Sequence, residues 1–188
     1  MPKQQTINKP VSLKGVGIHT GDEVNLTFKP AKENYGYCFC RTDLPEKPII
    51  EANIKYVVNT ERGTNLDKNG IKIKTSEHVL AALVGMEIDN VLIEIDAAEP
   101  PIMDGSAKFF VKALQKAGLK QQNKERNEYV VKDVISYHDQ KSGSEIKVIP
   151  SNHYELNVMV DYGDKVVGIQ NATMKKISQF NDEFANAR

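Results

Sequence analysis

The 188 residues suffice for one domain of ordinary size or two small ones, with a real hydrophobic core. Lys plus Arg and Asp plus Glu number 25 each, so the formal net charge is zero, a balance that argues against a dedicated nucleic-acid binder. With 40% hydrophobic and 27% charged residues the composition is that of a soluble globular protein. No run approaches the ~18 apolar residues of a membrane span, and "MPKQQTINKPVSL" has no apolar core of a signal peptide.

Residues 3–30 alternate polar and apolar on both sides of "TGDE", which predicts two strands around a turn. "YGYCFCRTD" (35–43) is a further strand. Its Cys38 and Cys40, two residues apart, point to one face as small buried or half-buried side chains, without the second pair a zinc ribbon needs. Short strands follow, with turns at 59–63 and at "DKNG" (67–70), where Asn-Gly signals a hairpin. Residues 75–84 predict a helix capped by Thr75, with Val79, Leu80, Leu83 and Val84 near one face and Gly85 as terminator. "NVLIEID" (90–96) is a strand with Val91, Ile93 and Ile95 on one side, and 106–118 is a second amphipathic helix closed by Gly118. "LKQQNKERNE" (119–128) is polar and aperiodic and reads as a linker. Strand patterns resume after it, and 175–188 shows a helical pattern through Ile177, Phe180 and Phe184. Strands joined by short turns with few helices predict an α+β fold.

Three stretches carry residues suited to chemistry. Glu77 and His78 fall in the first turn of the helix at 75–84, where the dipole favours an ionised carboxylate and a neutral imidazole. Those are the forms that metal-assisted hydrolysis requires, and equally an acid in a first turn is ordinary helix electrostatics. His19 sits in the glycine-rich turn "GVGIHTG" (15–21), either facing a ligand or decorating a hairpin; the spacing is that of neither a dinucleotide nor a P-loop motif. In "PPIMDGSA" (100–107), Asp104 reads as fixing a turn and Ser106 as capping a helix. His138 and His153 lie near turns without ligand spacing around them and read as solvated.

Three phrases together carry a resemblance. "SLKGVGIHTGDEVNLTFKPA", "IKIKTSEHVLAALVGMEIDNVLIEIDAAEPPIMDGSA" and the closing "FANAR" resemble the UDP-3-O-acyl-N-acetylglucosamine deacetylases, zinc enzymes of lipid A synthesis, and "RTDL" (41–44) and "VVNTERGTNL" match in order. The resemblance spans essentially the whole chain. It implies two α+β layers of similar topology with the active site between them: a first sheet-plus-helices domain over residues 1–124 and a second domain, 125–188, that is incomplete. A reducing cytoplasm fits the two cysteines, Cys38 and Cys40, read as unpaired.

The same resemblance maps a T-x-E-H motif onto Thr75, Glu77 and His78, with His78 a ligand of Zn2+ and Glu77 the general base on zinc-bound water. Zinc then polarises the acetamide carbonyl, Glu77 takes the proton as water attacks, and acetate leaves through a tetrahedral oxyanion. His19 and Ile18 line the active site, and Thr60 belongs to a loop bordering the substrate. The family's remaining ligands, in an H-x-x-x-D motif, its oxyanion threonine directly after "AR", and its histidine acid have no counterpart here. The expectation is therefore an N-terminal portion of a deacetylase, inactive alone, whose uncovered strands make it dimerise or aggregate. The alternative is a non-catalytic module that binds a nucleotide sugar or a partner.

Overall fold

A computed structural model describes residues 2–188. The fold is α+β, as the pattern predicts. Contacts divide the chain into two units, one of residues 1–126 with 178–188 and one of residues 127–177.

The first unit is built on a five-stranded mixed sheet. Its strands are β2 (Val11–Val16), β3 (Glu23–Pro30), β4 (Tyr37–Arg41), β5 (Ile49–Glu51) and β9 (Val91–Ile95), in the spatial order β2-β3-β9-β4-β5. β9 is the middle strand, antiparallel to β3 and parallel to β4. The register sets Leu26 opposite Ile95 and Phe28 opposite Ile93. Period-two patterning explains the layering: Val24, Leu26, Phe28, Val91, Ile93 and Ile95 are all fully buried, while Glu94 and Leu92 turn to the other face. Each such side chain contributes about 1.5–3 kcal/mol by leaving water.

Two helices, α1 (Glu77–Gly85) and α2 (Lys108–Ala117), pack on one another and complete this core. Phe110 of α2 meets Phe28 edge to face, 6.5 Å between centroids. Gly118 ends α2 with φ 71°, as the pattern predicts. A three-stranded sheet, β6 (Val57–Asn59), β7 (Asn65–Lys68) and β8 (Ile71–Ile73), includes the expected hairpin, with Asn69 and Gly70 both at positive φ.

Several expectations are corrected. Residues 3–30 hold three strands, because β1 (Lys3–Ile7) breaks off before Pro10. The supposed linker is a strand, β10 (Leu119–Glu125), antiparallel to β1. It is exposed on both sides and so needs no apolar alternation; its ladder is fastened by side chains, Gln122 to Asn90 and to the Ala31 carbonyl. Thr75 does not cap α1. It lies at φ 49°, and the cap position falls to Ser76, whose hydroxyl instead donates to the Thr64 carbonyl. Val84 is exposed, and Gly85 is the last helical residue rather than a left-handed terminator beyond the end. Glu87, at φ 53°, takes the left-handed position: its N–H donates to Val84 and that of Ile88 to Leu83, the paired bonds of a Schellman cap. Gly85 is instead a contact site, where any Cβ would meet the Phe180 ring. The terminal helical pattern resolves into a 3₁₀ turn at Ile177–Gln179 and a single wide turn at Phe180–Phe184, closed by the Ala185 N–H donating to the Phe180 carbonyl.

The second unit contains two antiparallel hairpins, β11 (Ile135–His138) with β12 (Glu145–Val148), and β13 (Leu156–Asp161) with β14 (Ile169–Met174). Their apolar side chains remain accessible: Ile135, Tyr137, Ile146, Val158 and Met159 are exposed, and Met174 is the buried one. His138 and His153 are exposed, as expected.

Candidate active site

The N-terminus of α1 is assembled from three separate segments. Glu77 is the first helical residue and His78 the second, one position earlier than a Thr75 cap would place them. One carboxylate oxygen of Glu77, Oε2, accepts the Thr64 N–H at 2.7 Å, a charge-assisted bond from the loop that links β6 to β7. The other, Oε1, lies 3.9 Å from His78 Nε2, too far for a hydrogen bond. Both side chains are about one third accessible, enough to meet a bound molecule while held by the scaffold.

The loop makes this possible through its backbone. Arg62 is left-handed at φ 59°, and Gly63 has φ 152°, a region closed to side-chain-bearing residues. A Cβ at Gly63 would sit 3.3 Å from Glu77 Oε1 and from the Thr75 hydroxyl. The Arg62 carbonyl faces His19, whose Nε2 lies 3.0 Å away. A carbonyl only accepts, so Nε2 carries the proton in this contact. Thus Glu77 and His19 are joined through one loop, by way of Thr64 and Arg62.

The turn of His19 is fixed from below by a residue the sequence reading missed. Glu99 is fully buried, and its Oε2 accepts the N–H groups of His19 (3.0 Å) and Thr20 (2.9 Å), while Oε1 accepts the Thr75 hydroxyl at 2.7 Å. Burial alone would push this carboxyl up; the Thr75 hydroxyl and the Thr20 and His19 amides outweigh it and hold the group below the usual carboxylate range. Gly17 is required beneath it, since a Cβ there would come within 2.7 Å of Glu99 Oε2. In the sequence it is a single acid before Pro100 and Pro101, in the loop that follows β9.

The other predicted site residues lie at the rim. Ile18 is exposed beside His19. Thr60 is exposed at the start of the 60–64 loop, and among the described residues no hydrogen bond joins it to Glu77 or His78. Asp104 and Ser106 serve the turn before α2: Ser106 donates to Asp104 Oδ1 through its N–H (3.1 Å) and its hydroxyl (2.7 Å), and its oxygen accepts from the Lys108 N–H at 3.3 Å. Cys38 and Cys40 are buried and unbonded to one another, and burial pushes both thiols up.

A catalytic zinc takes three protein ligands and an open position. Among the described residues no group of three His, Cys, Asp or Glu gathers where it could hold a metal. His78 offers one imidazole beside one carboxylate, so the residues present do not by themselves complete such a site.

Comparison with known proteins matches residues 4–188 to the family model described as UDP-3-O-acyl N-acetylglycosamine deacetylase. The chain is 41% identical over 188 residues to a protein of Bacteroides thetaiotaomicron named bifunctional enzyme LpxC/FabZ, covering 100% of this chain and 41% of that protein. It is 38% identical over 189 residues to a UDP-3-O-acyl-N-acetylglucosamine deacetylase of Geotalea uraniireducens, covering 100% of this chain and 61% of that protein. A deacetylase of the same name from Myxococcus xanthus is 38% identical over 164 residues, 87% of this chain and 52% of that protein. The chain thus spans 41% to 61% of the length of these three relatives. With the family model matched across nearly all of its residues, the chain belongs to the UDP-3-O-acyl N-acetylglycosamine deacetylase family.

Proposed function

We propose that the protein carrying this chain removes the N-acetyl group of UDP-3-O-acyl-N-acetylglucosamine by zinc-dependent hydrolysis, a step of lipid A synthesis in the cytoplasm. The observation that supports it is the state of Glu77, anchored by Thr64 through Oε2 while Oε1 remains open beside His78. In this reading Glu77 is the general base. Water adds to the acetamide carbonyl as one of its protons passes to Glu77; the departing nitrogen takes up that proton as the C–N bond breaks, and acetate and a protonated amine result. A positioned base of this kind supplies about 10²–10⁴-fold. His78 contributes one zinc ligand, the other ligands coming from outside these residues. His19, Ile18 and Thr60 border the substrate, with His19 held ready by Arg62.

The test is Glu77→Gln in the complete protein, assayed with the acylated UDP-sugar. Turnover should fall by about 10²–10⁴-fold while the fold is kept. Unchanged turnover removes Glu77 from the chemistry. Saturable binding of the UDP-sugar by the wild type without any turnover would favour the non-catalytic binding module. Metal analysis of His78→Ala checks the other assignment: zinc content should drop, and full retention contradicts the ligand role.

A further inference from the structure

Glu99 takes no part in the proposed chemistry, yet its carboxylate joins two pieces of the site distant in sequence. Three donors converge on it from the turn at 17–20 and from the residue that precedes the cap of α1. We propose that Glu99 is the positioning residue of this site: its buried carboxylate fixes the turn bearing Ile18 and His19 against Thr75, and through Thr75 sets the aim of the Glu77 carboxylate.

The link runs through Thr75. A β-branched residue at φ 49° is a genuine outlier, and such conformations persist where surrounding bonds over-determine them. Here the Thr75 N–H donates to Asn65 Oδ1 at 3.2 Å and its hydroxyl donates to Glu99. This conformation turns the chain into α1, so Glu77 arrives two residues later facing the Thr64 N–H. There is little spare room above, since even a Cβ placed at Gly63 would lie 3.3 Å from both Thr75 and Glu77. Relaxing Thr75 towards an ordinary φ therefore displaces the first turn of the helix. Misplacing a catalytic group by about 1 Å can cost on the order of 10²-fold in rate.

The inference rests on Glu77 acting as base, and the experiment separates the two claims. The complete protein is prepared as wild type, Glu99→Gln, Thr75→Val, Thr75→Ser and Glu77→Gln, each labelled with ¹⁵N-threonine. The Thr20 amide reports on Glu99 and the Thr64 amide on Glu77. In Glu99→Gln the Thr20 and Thr64 resonances should both shift, and kcat should fall about 10- to 100-fold with KM within about twofold. Thr75→Val should shift Thr64 and lower kcat likewise, and Thr75→Ser, which keeps the hydroxyl, should restore both. A purely structural role would lower the yield of folded protein without separating kcat from KM. An unmoved Thr64 resonance and unchanged kcat in either folded variant, with Glu77→Gln inactive, overturns the proposal. If Glu77→Gln keeps full turnover, the function fails instead, and the Thr64 amide alone decides: shifted, Glu99 governs Glu77; unmoved, it does not.

Discussion

Gly85→Ala tests whether the terminal segment is docked by a specific contact. An ideal Cβ at Gly85 would lie 2.0 Å from Cδ1, 2.5 Å from Cγ and 2.7 Å from Cε1 of Phe180. All are closer than real carbon contacts permit, so the ring must leave its place. Overpacking costs about 1–3 kcal/mol. Alanine in a helix gains at most about 1 kcal/mol over glycine, and less here in the last turn. The balance is a net destabilisation of about 0–3 kcal/mol, concentrated in the tail because Phe180 is only partly buried whereas Leu83 and Val79 are fully so. Urea unfolding followed by circular dichroism should show a small drop in midpoint. Hydrogen exchange should show a larger effect, with loss of protection at Ala185, whose N–H closes the wide turn onto Phe180. Equal or greater stability together with unchanged protection of residues 178–188 would refute the reasoning.

Asn90→Ala should be costlier. The Asn90 side chain is buried and makes four bonds, accepting from the Tyr35 and Gly36 amides and donating to Gln4 and Gln122. At about 1–3 kcal/mol for each buried partner left unpaired, a loss of about 3 kcal/mol or more is expected on chemical denaturation, and a change under 1 kcal/mol would contradict it. Glu99 predicts an acid-side dependence. Its folded carboxyl is held below the ordinary range, so its stabilisation is complete above the unfolded value of about 4.3 and is lost as pH falls through the folded value. The melting difference between wild type and Glu99→Gln should therefore narrow from pH 7 to pH 3, and a constant difference would count against an ionised Glu99. Finally, the exposed apolar side chains of residues 127–177 should make this 188-residue chain associate with concentration. Light scattering that finds only monomer at high concentration would dismiss that expectation.

What could be read from the sequence was set by local physics. β9 follows from strict alternation, the Asn69-Gly70 hairpin from a turn that needs two positive φ values, and the α2 stop from Gly118. Glu77 and His78 were visible because the resemblance marks them, whereas their electrostatics alone suit any helix start. The failures share one cause, which is that a tertiary contact decided the local structure. β10 is held by hydrogen bonds to β1, Asn90 and Glu33, leaving no periodicity to detect. Gly85 looks like a terminator in the sequence, yet it is needed for a ring from a segment far along the chain. Glu99 is a lone acid in a Pro-rich loop, which gives no local sign of burial.

The start of α1 shows how those two kinds of information meet. An ordinary helix start uses a serine or threonine side chain to cap its free N–H groups. Here Ser76 and Thr75 both point their hydroxyls elsewhere, to the Thr64 carbonyl and to Glu99, and the helix has no side-chain cap bond. A cap is worth about 1 kcal/mol, and a threonine at positive φ costs about 1–3 kcal/mol more. Those losses are offset only if the bonds gained are strong, and both ends of the arrangement are carboxylates that accept charge-assisted bonds, Glu99 from Thr75 and Glu77 from Thr64. Stability is thus given up at the helix start to fix two acids in unlike settings. Glu99 is sealed and both its oxygens accept bonds, from three donors in all; Glu77 is accessible and has one, so an oxygen remains free. That difference in occupancy, more than the presence of either acid, is what suits Glu77 to the role of base proposed for it and Glu99 to that of positioning residue.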